Sequence, residues 1–160
     1  FASMSLLVIG SVAFDAIETP FGKTDKIIGG AATYIAISSS YFGSDVKLVA
    51  VVGGDFPKED IKLLNDHGVD TEGLQIKEDE KSFFWSGKYH NDMNTRDTLV
   101  TELNVLENFD PVIPPAYQSS EYVMLGNLSP QVQRTVIERM EKKPKLIAMD
   151  TMNFWMDIAR

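Results

Sequence analysis

A chain of 160 residues, 44% hydrophobic and 24% charged, has the composition of a globular protein and enough length to bury a core. Its net charge of −8 argues against nucleic acid or an anionic membrane as main partner, since either favours a basic face. There is no cysteine, which excludes disulfides, thiolate metal sites and thiol catalysis and fits a reducing cytoplasm.

Phe1-Ala2-Ser3 ahead of Met4 reads as a cloning remnant outside the fold. No apolar run approaches the roughly 18 residues of a membrane span. Ser5–Ile9, closed by Gly10, reads as a buried parallel strand. From Ala13 to Ile28 two short strands turn around Pro20-Phe21-Gly22. Gly29-Gly30 then opens a helix over residues 31–42 that stops at Gly43, a left-handed cap. Two bare glycines let a ligand approach the backbone, and unpaired N–H groups of a first helical turn can bind oxygens. Ala31, Ala32, Ala36 and Ser38–Ser40 keep this helix thin enough to lie close on a sheet.

Val46–Val52 is nearly all apolar, as a strand covered on both faces should be. Pro57 suits the first turn of a second helix, with Ile61, Leu64 and the edge of His67 on one face and Gly68 at its end. Leu74–Ile76 is a short strand before the charged turn 77–81. Residues 82–105 form an antiparallel hairpin: Phe83, Trp85 and Tyr89 share one face at period two, as do Leu99, Thr101, Leu103 and Val105. Inserted in a β-α-β series, this hairpin projects from the main sheet. Tyr122–Leu125 is a further strand. Ser129-Pro130 starts a helix with the stripe Val132, Val136 and Met140, Lys142-Lys143 at its negative end and Pro144 as its stop. Lys145–Asp150 is the last strand, and Asn153 to Arg160 begins a segment with no visible ending.

Residues 29–43 resemble, position by position, the first signature of the ribokinase-like sugar kinases, also called the phosphofructokinase-B family. Val52-Gly53-Gly54-Asp55-Phe56 is similar to that family's next block, and Leu64 to Thr71 to the one after. The likeness runs from about Leu6 to Asn153. Tyr34 departs from it, standing where the family usually has a sugar-contacting Asn. The resemblance implies a three-layer α/β/α fold with a mostly parallel central sheet and a small projecting β lid, built from residues 12–28 and 82–105. It further implies a cytoplasmic enzyme that phosphorylates a sugar or polyol hydroxyl with ATP and Mg²⁺. The family's Gly-Ala-Gly-Asp phosphate block and Asn-x-x-Glu metal motif do not occur here. Residues 5–160 are therefore expected to be the N-terminal half of a kinase domain, supplying the sugar site and lid. The catalytic base and the ATP and Mg²⁺ sites would lie elsewhere, and this chain alone would not turn over.

Several residues are candidates for the substrate site. Asp15, past the first strand, could accept hydrogen bonds from a sugar diol or be an exposed turn aspartate; the family has an Asp at the matching place. Gly29 and Gly30 could present backbone N–H groups to the sugar, or serve helix entry alone. Asn127 matches a family position that often contacts substrate, and capping by Asn127 or Ser129 is the competing account. Asn153, in Asp150-Thr-Met-Asn153, resembles the family's Asp-x-Asn element, with a loop-tying Asp150 as the alternative. Trp85 and Tyr89 could stack on a sugar face or serve core or dimer contact. Related kinases sometimes dimerise through such a lid, which makes a homodimer a candidate assembly. Arg96 reads as a solvated turn arginine or a contact for an acidic sugar.

His67 and His90 have no metal-ligand spacing. Gly10-Ser-Val-Ala-Phe-Asp15 lacks the glycine pattern of a dinucleotide site, so a Rossmann dehydrogenase has little support. A nucleoside kinase on the same scaffold is the nearest rival, because Tyr34 and an aromatic lid could favour a base. A non-catalytic sugar-binding module is the rival from another class.

Overall fold

The computed structural model describes residues 4–43 and 45–158. The expected remnant Phe1–Ser3 and the chain's last two residues lie outside the described residues. The chain runs β1 (Ser5–Ile9), β2 (Ala13–Thr19), β3 (Gly22–Lys23), β4 (Ile27–Gly29), α1 (Ala31–Ser40), β5 (Asp45–Gly53), α2 (Lys58–Asp66) and β6 (Asp70–Lys77). It continues through β7 (Phe84–Tyr89), β8 (Arg96–Glu102), β9 (Tyr122–Leu125), α3 (Pro130–Glu138), β10 (Leu146–Met149) and α4 (Asn153–Ile158).

The central sheet has the order β10-β9-β1-β5-β6 with parallel pairings throughout. β1 and β5, apolar at consecutive positions, are covered on both faces in the middle of the sheet, whereas β10 at its edge is largely exposed. Leu7, Ile9, Val49, Val51, Val123 and Leu125 join Phe109, Tyr117 and Val136 in one core cluster. The alternate residues Val8, Val46, Leu48, Ala50 and Val52 join Ala32 and Ala36 of α1 and Leu64 of α2 in the other. Burying each Val, Leu, Ile or Phe side chain among them is worth about 1.5–3 kcal/mol. The small residues of α1 act as expected: a Cβ added at Gly10 would sit 3.1 Å from the Ala32 Cβ.

The second sheet has the order β3-β2-β7-β8, with β4 also paired to β2. It is a lid over the carboxyl end of the central sheet. Phe14 and Phe84, register partners on β2 and β7, turn one lid face toward the α1-side core, where Phe14 packs on Phe56 at a ring separation of 5.2 Å.

The structure departs from the sequence reading in several places: β6 runs Asp70–Lys77 where the sequence reading has only Leu74–Ile76, and three strands rather than two lie between Ala13 and Gly29. Helix α1 ends at Ser40, because the N–H groups of Phe42 and Gly43 already turn back to Ser39 and Ser40. His67, three residues after Leu64, also reaches Tyr41, whose hydroxyl lies 3.1 Å from its Nε2. The set Leu99, Thr101, Leu103 and Val105 does not share one strand face. A register shift against β7 leaves Leu99 bulged, β8 ends at Glu102, and Val105 is buried in the main core. Helix α3 closes at Arg139, so Lys142-Lys143 lie beyond it, held through their backbone to Gln118 at Lys142. Among the described residues no helix is long and apolar enough to cross a membrane.

Candidate active site

Asp15 lies within strand β2, half-buried, and not in an exposed turn. Its strand pairs antiparallel with β4 at Asp15↔Ile27 and Ala13↔Gly29, which brings the carboxylate over the glycine pair. A Cβ built at Gly29 would stand 2.1 Å from Asp15 Oδ2, so only a glycine leaves room there for the carboxylate. Burial raises the Asp15 pKa above the ordinary carboxylate value, and a hydrogen bond from the Gly30 backbone N–H partly offsets this.

The mouth of α1 is not a row of free N–H groups. Ser11 captures two of them, its Oγ accepting from Ala31 N–H at 3.0 Å and its carbonyl from Ala32 N–H at 2.9 Å. Gly30 has φ +93°, and a Cβ there would meet the Ser11 carbonyl oxygen at 2.3 Å. The second glycine is thus required by backbone packing and the first by Asp15. Tyr34, on the first turn of α1, is 60% exposed.

Trp85 is the register partner of Asp15 across the parallel pair β2–β7, so both side chains rise from the same lid face. The indole lies over the bare backbone of Gly87, where a Cβ would meet the ring at 2.1 Å. Its Nε1–H donates to Thr98 Oγ1 at 3.3 Å, and the Arg96 guanidinium stands 5.9 Å from the ring. Arg96 therefore belongs to the first position of β8 and leans on Trp85. Tyr89 lies four residues farther along β7, about 13 Å at ~3.3 Å per residue. It lines a separate cleft of about 540 Å³ with Glu18, Lys88 and Asp92.

Asn127 follows β9 and Asn153 opens α4 after β10, both at the carboxyl edge of the sheet. Ser129 caps α3, accepting from Val132 N–H at 3.3 Å, so Asn127 is not the cap. The Asn127 Oδ1 is buried and has no hydrogen-bond partner. Asn153 is exposed, and Asp150 ties its loop through backbone groups while its side chain faces solvent.

Three participants escaped the sequence reading. Ser11 caps α1 from outside the helix. Buried Gln133 donates its Nε2 hydrogens to the carbonyls of Gly126 and Asp150, both at 2.9 Å, and locks the ends of β9 and β10 together. Lys26 stands 4.8 Å above the Phe84 ring at the lid base. Only Gln133 left a trace in the sequence, as a polar residue on the apolar side of α3. Among the described residues no three His, Asp or Glu side chains converge as a metal site. Mg²⁺ and ATP have no assigned residues here.

The two-sheet arrangement is the ribokinase-like fold, a three-layer α/β/α unit with a mostly parallel central sheet and a smaller mixed lid sheet. Residues 4–146 match the family described as pfkB family carbohydrate kinase, and the chain belongs to it. A cytidine kinase of Thermococcus kodakarensis is 31% identical over 141 residues, covering 88% of this chain and 49% of that protein. A nucleoside kinase of Methanothermobacter thermautotrophicus is 34% identical over 104 residues, covering 56% of this chain and 34% of that one. Among solved structures, the ribokinase of Cryptococcus neoformans in complex with ADP superposes with a TM-score of 0.76 at 20% identity, over 96% of this chain and 51% of that chain. This chain spans about half the length, or less, of the curated relatives it matches.

Proposed function

We propose that this chain is the substrate-binding and lid portion of an ATP-dependent nucleoside kinase. The observation that carries the reading is the pairing of Asp15 and Trp85 on one lid face, with the Asp15 carboxylate seated over Gly29. A nucleoside offers a vicinal ribose diol and a planar base. A carboxylate accepts from two adjacent hydroxyls, and an indole or phenol stacks on a base. Tyr34, exposed beside the glycine pair, replaces the Asn usual for a sugar and adds a second aromatic surface. The cytidine and nucleoside kinases among the relatives support this reading over the sugar kinase first expected.

Asp15 would orient the ribose, held in place by the Gly30 N–H. Gly29 would seat the Asp15 carboxylate that meets the ribose, and Asn127 Oδ1 would accept a donor from the ligand. The lid would close over the substrate to exclude water. ATP with Mg²⁺ supplies the transferred phosphoryl group when bound. The base that deprotonates the hydroxyl is assigned to residues outside this chain.

The test is phosphoryl transfer by the full-length protein to cytidine, inosine, ribose and fructose in parallel. A preference for the nucleosides of about tenfold or more in kcat/KM, ~1.4 kcal/mol, supports the reading. Equal or better use of free sugars returns the assignment to a carbohydrate kinase.

A further inference from the structure

Gly53-Gly54-Asp55, at the carboxyl end of β5, has no part in the substrate site described above. Its groups converge on the root of the lid hairpin. Asp55 Oδ1 accepts both the backbone N–H and the hydroxyl of Ser82, each at 2.8 Å. The Ser82 Oγ in turn accepts from Gly53 N–H at 3.0 Å. From the other end of the hairpin, Asn104 donates its side-chain amide to the Ser82 carbonyl at 2.9 Å. Asn104 adopts φ +49°, a left-handed conformation that Asn tolerates, and the next residue, Val105, donates its N–H to Lys81. Ser82 is 1% exposed.

The glycines allow this convergence. A Cβ at Gly53 would lie 2.3 Å from the Glu80 carbonyl oxygen, and one at Gly54 2.4 Å from that of Glu78. Between Ser82 and Asn104 lie β7 and β8, and β8 is exposed along its whole length. Both ends of a projecting hairpin are thus tied to one serine, and that serine to one carboxylate in the turn just past β5.

We propose that Asp55, Ser82 and Asn104 form the hinge pin of the lid. The node fixes the hairpin's entry and exit at the end of β5, so that β7 and β8, together with β2 to which β7 is paired, keep one pose over the central sheet and carry Asp15 and Trp85 as a unit. Asp55 is then a positioning residue, acting on the substrate through Ser82 and the lid. The functional half of this proposal rests on the reading of that sheet as a substrate lid; the mechanical half does not.

The experiment is hydrogen exchange and steady-state kinetics on the full-length protein and its Asp55→Ala, Asp55→Asn, Ser82→Ala and Asn104→Gly variants. Asn at 55 keeps the Oδ1 acceptor, and Gly at 104 keeps the backbone conformation while removing only the amide bond. Exchange in residues 84–102 should rise about tenfold in Asp55→Ala, Ser82→Ala and Asn104→Gly, while β1, β5 and β9 keep their protection. The nucleoside KM should rise about fivefold or more with a smaller change in kcat, and Asp55→Asn should restore both. Exchange that rises equally in the central strands, or does not rise in the lid, overturns the hinge. Where Asp55→Ala does not fold, Asn104→Gly decides. A wild-type protein inert toward nucleosides sinks the functional reading alone, because the exchange comparison judges the hinge without substrate.

Discussion

Asp15 and Trp85 are Cα-register partners on neighbouring parallel strands, an acid and an indole set side by side on the same face of the lid. The carboxylate rests on Gly29 while the indole rests on Gly87, each occupying the space a missing side chain leaves. The site is therefore defined as much by two absent Cβ atoms as by the groups that fill their places.

Gly29→Ala should separate binding from folding. The new methyl group displaces the tip of a flexible carboxylate, so nucleoside affinity measured by calorimetry should fall about tenfold or more, with stability lowered by about 1 kcal/mol or less. Gly30→Ala meets a backbone carbonyl at positive φ and should instead cost about 1–3 kcal/mol in a denaturant melt.

Asp15→Asn should stabilise the unliganded protein at neutral pH while weakening nucleoside binding. The folded state raises the Asp15 pKa above its unfolded value, mainly through burial. Between the two values the folded state holds more protons, so stability falls as pH rises through that window and stays lower above it. The gain from Asn should accordingly be full above the folded pKa and vanish below the unfolded one. Melting temperatures of both proteins across the acid range check the sign.

Asn127→Leu should leave the unliganded protein unchanged or more stable, because the Asn127 Oδ1 is buried without a donor. An unsatisfied buried polar group costs about 1–3 kcal/mol, and an apolar side chain of similar size removes that cost. If Asn127 accepts from substrate, the nucleoside-induced rise in melting temperature should shrink in the variant. A large loss of stability without ligand would show that Oδ1 has a structural partner.

Gln133→Glu should destabilise by about 2–4 kcal/mol. It sets a carboxylate oxygen where an amide now donates to the Gly126 and Asp150 carbonyls. The loss should lessen on acidification, since a protonated Glu regains a donor. Urea titrations at neutral and acid pH check it.

Much of the framework was legible because its signals are local. The strands Ser5–Ile9 and Tyr122–Leu125 have the limits expected of them, since each is an apolar run bounded by a turn signal. Ser129-Pro130 announced its helix by cap chemistry. The lid hairpin was legible as alternating aromatics, but the bulge at Leu99 was not, since one extra residue changes the facing of a strand without changing its composition. At the candidate site, Asp15 and the glycine pair came from motif and spacing. The closure of the α1 mouth by Ser11 did not, because a serine after a strand carries no mark of the helix it will cap.

The sequence by itself determined the α/β alternation, the thin helix behind Gly29-Gly30 and the presence of an aromatic hairpin, all read from neighbours within a turn or two of chain. Only the tertiary structure decided that β2 pairs with β7 at Asp15 and Trp85, that Tyr89 is carried to a different cleft, and that Asp55 holds the root of the lid. Periodicity and caps act through bonds a few residues apart. Strand register and buried hydrogen bonds join segments far apart in the chain, and packing alone selects among the pairings that local pattern leaves equally good.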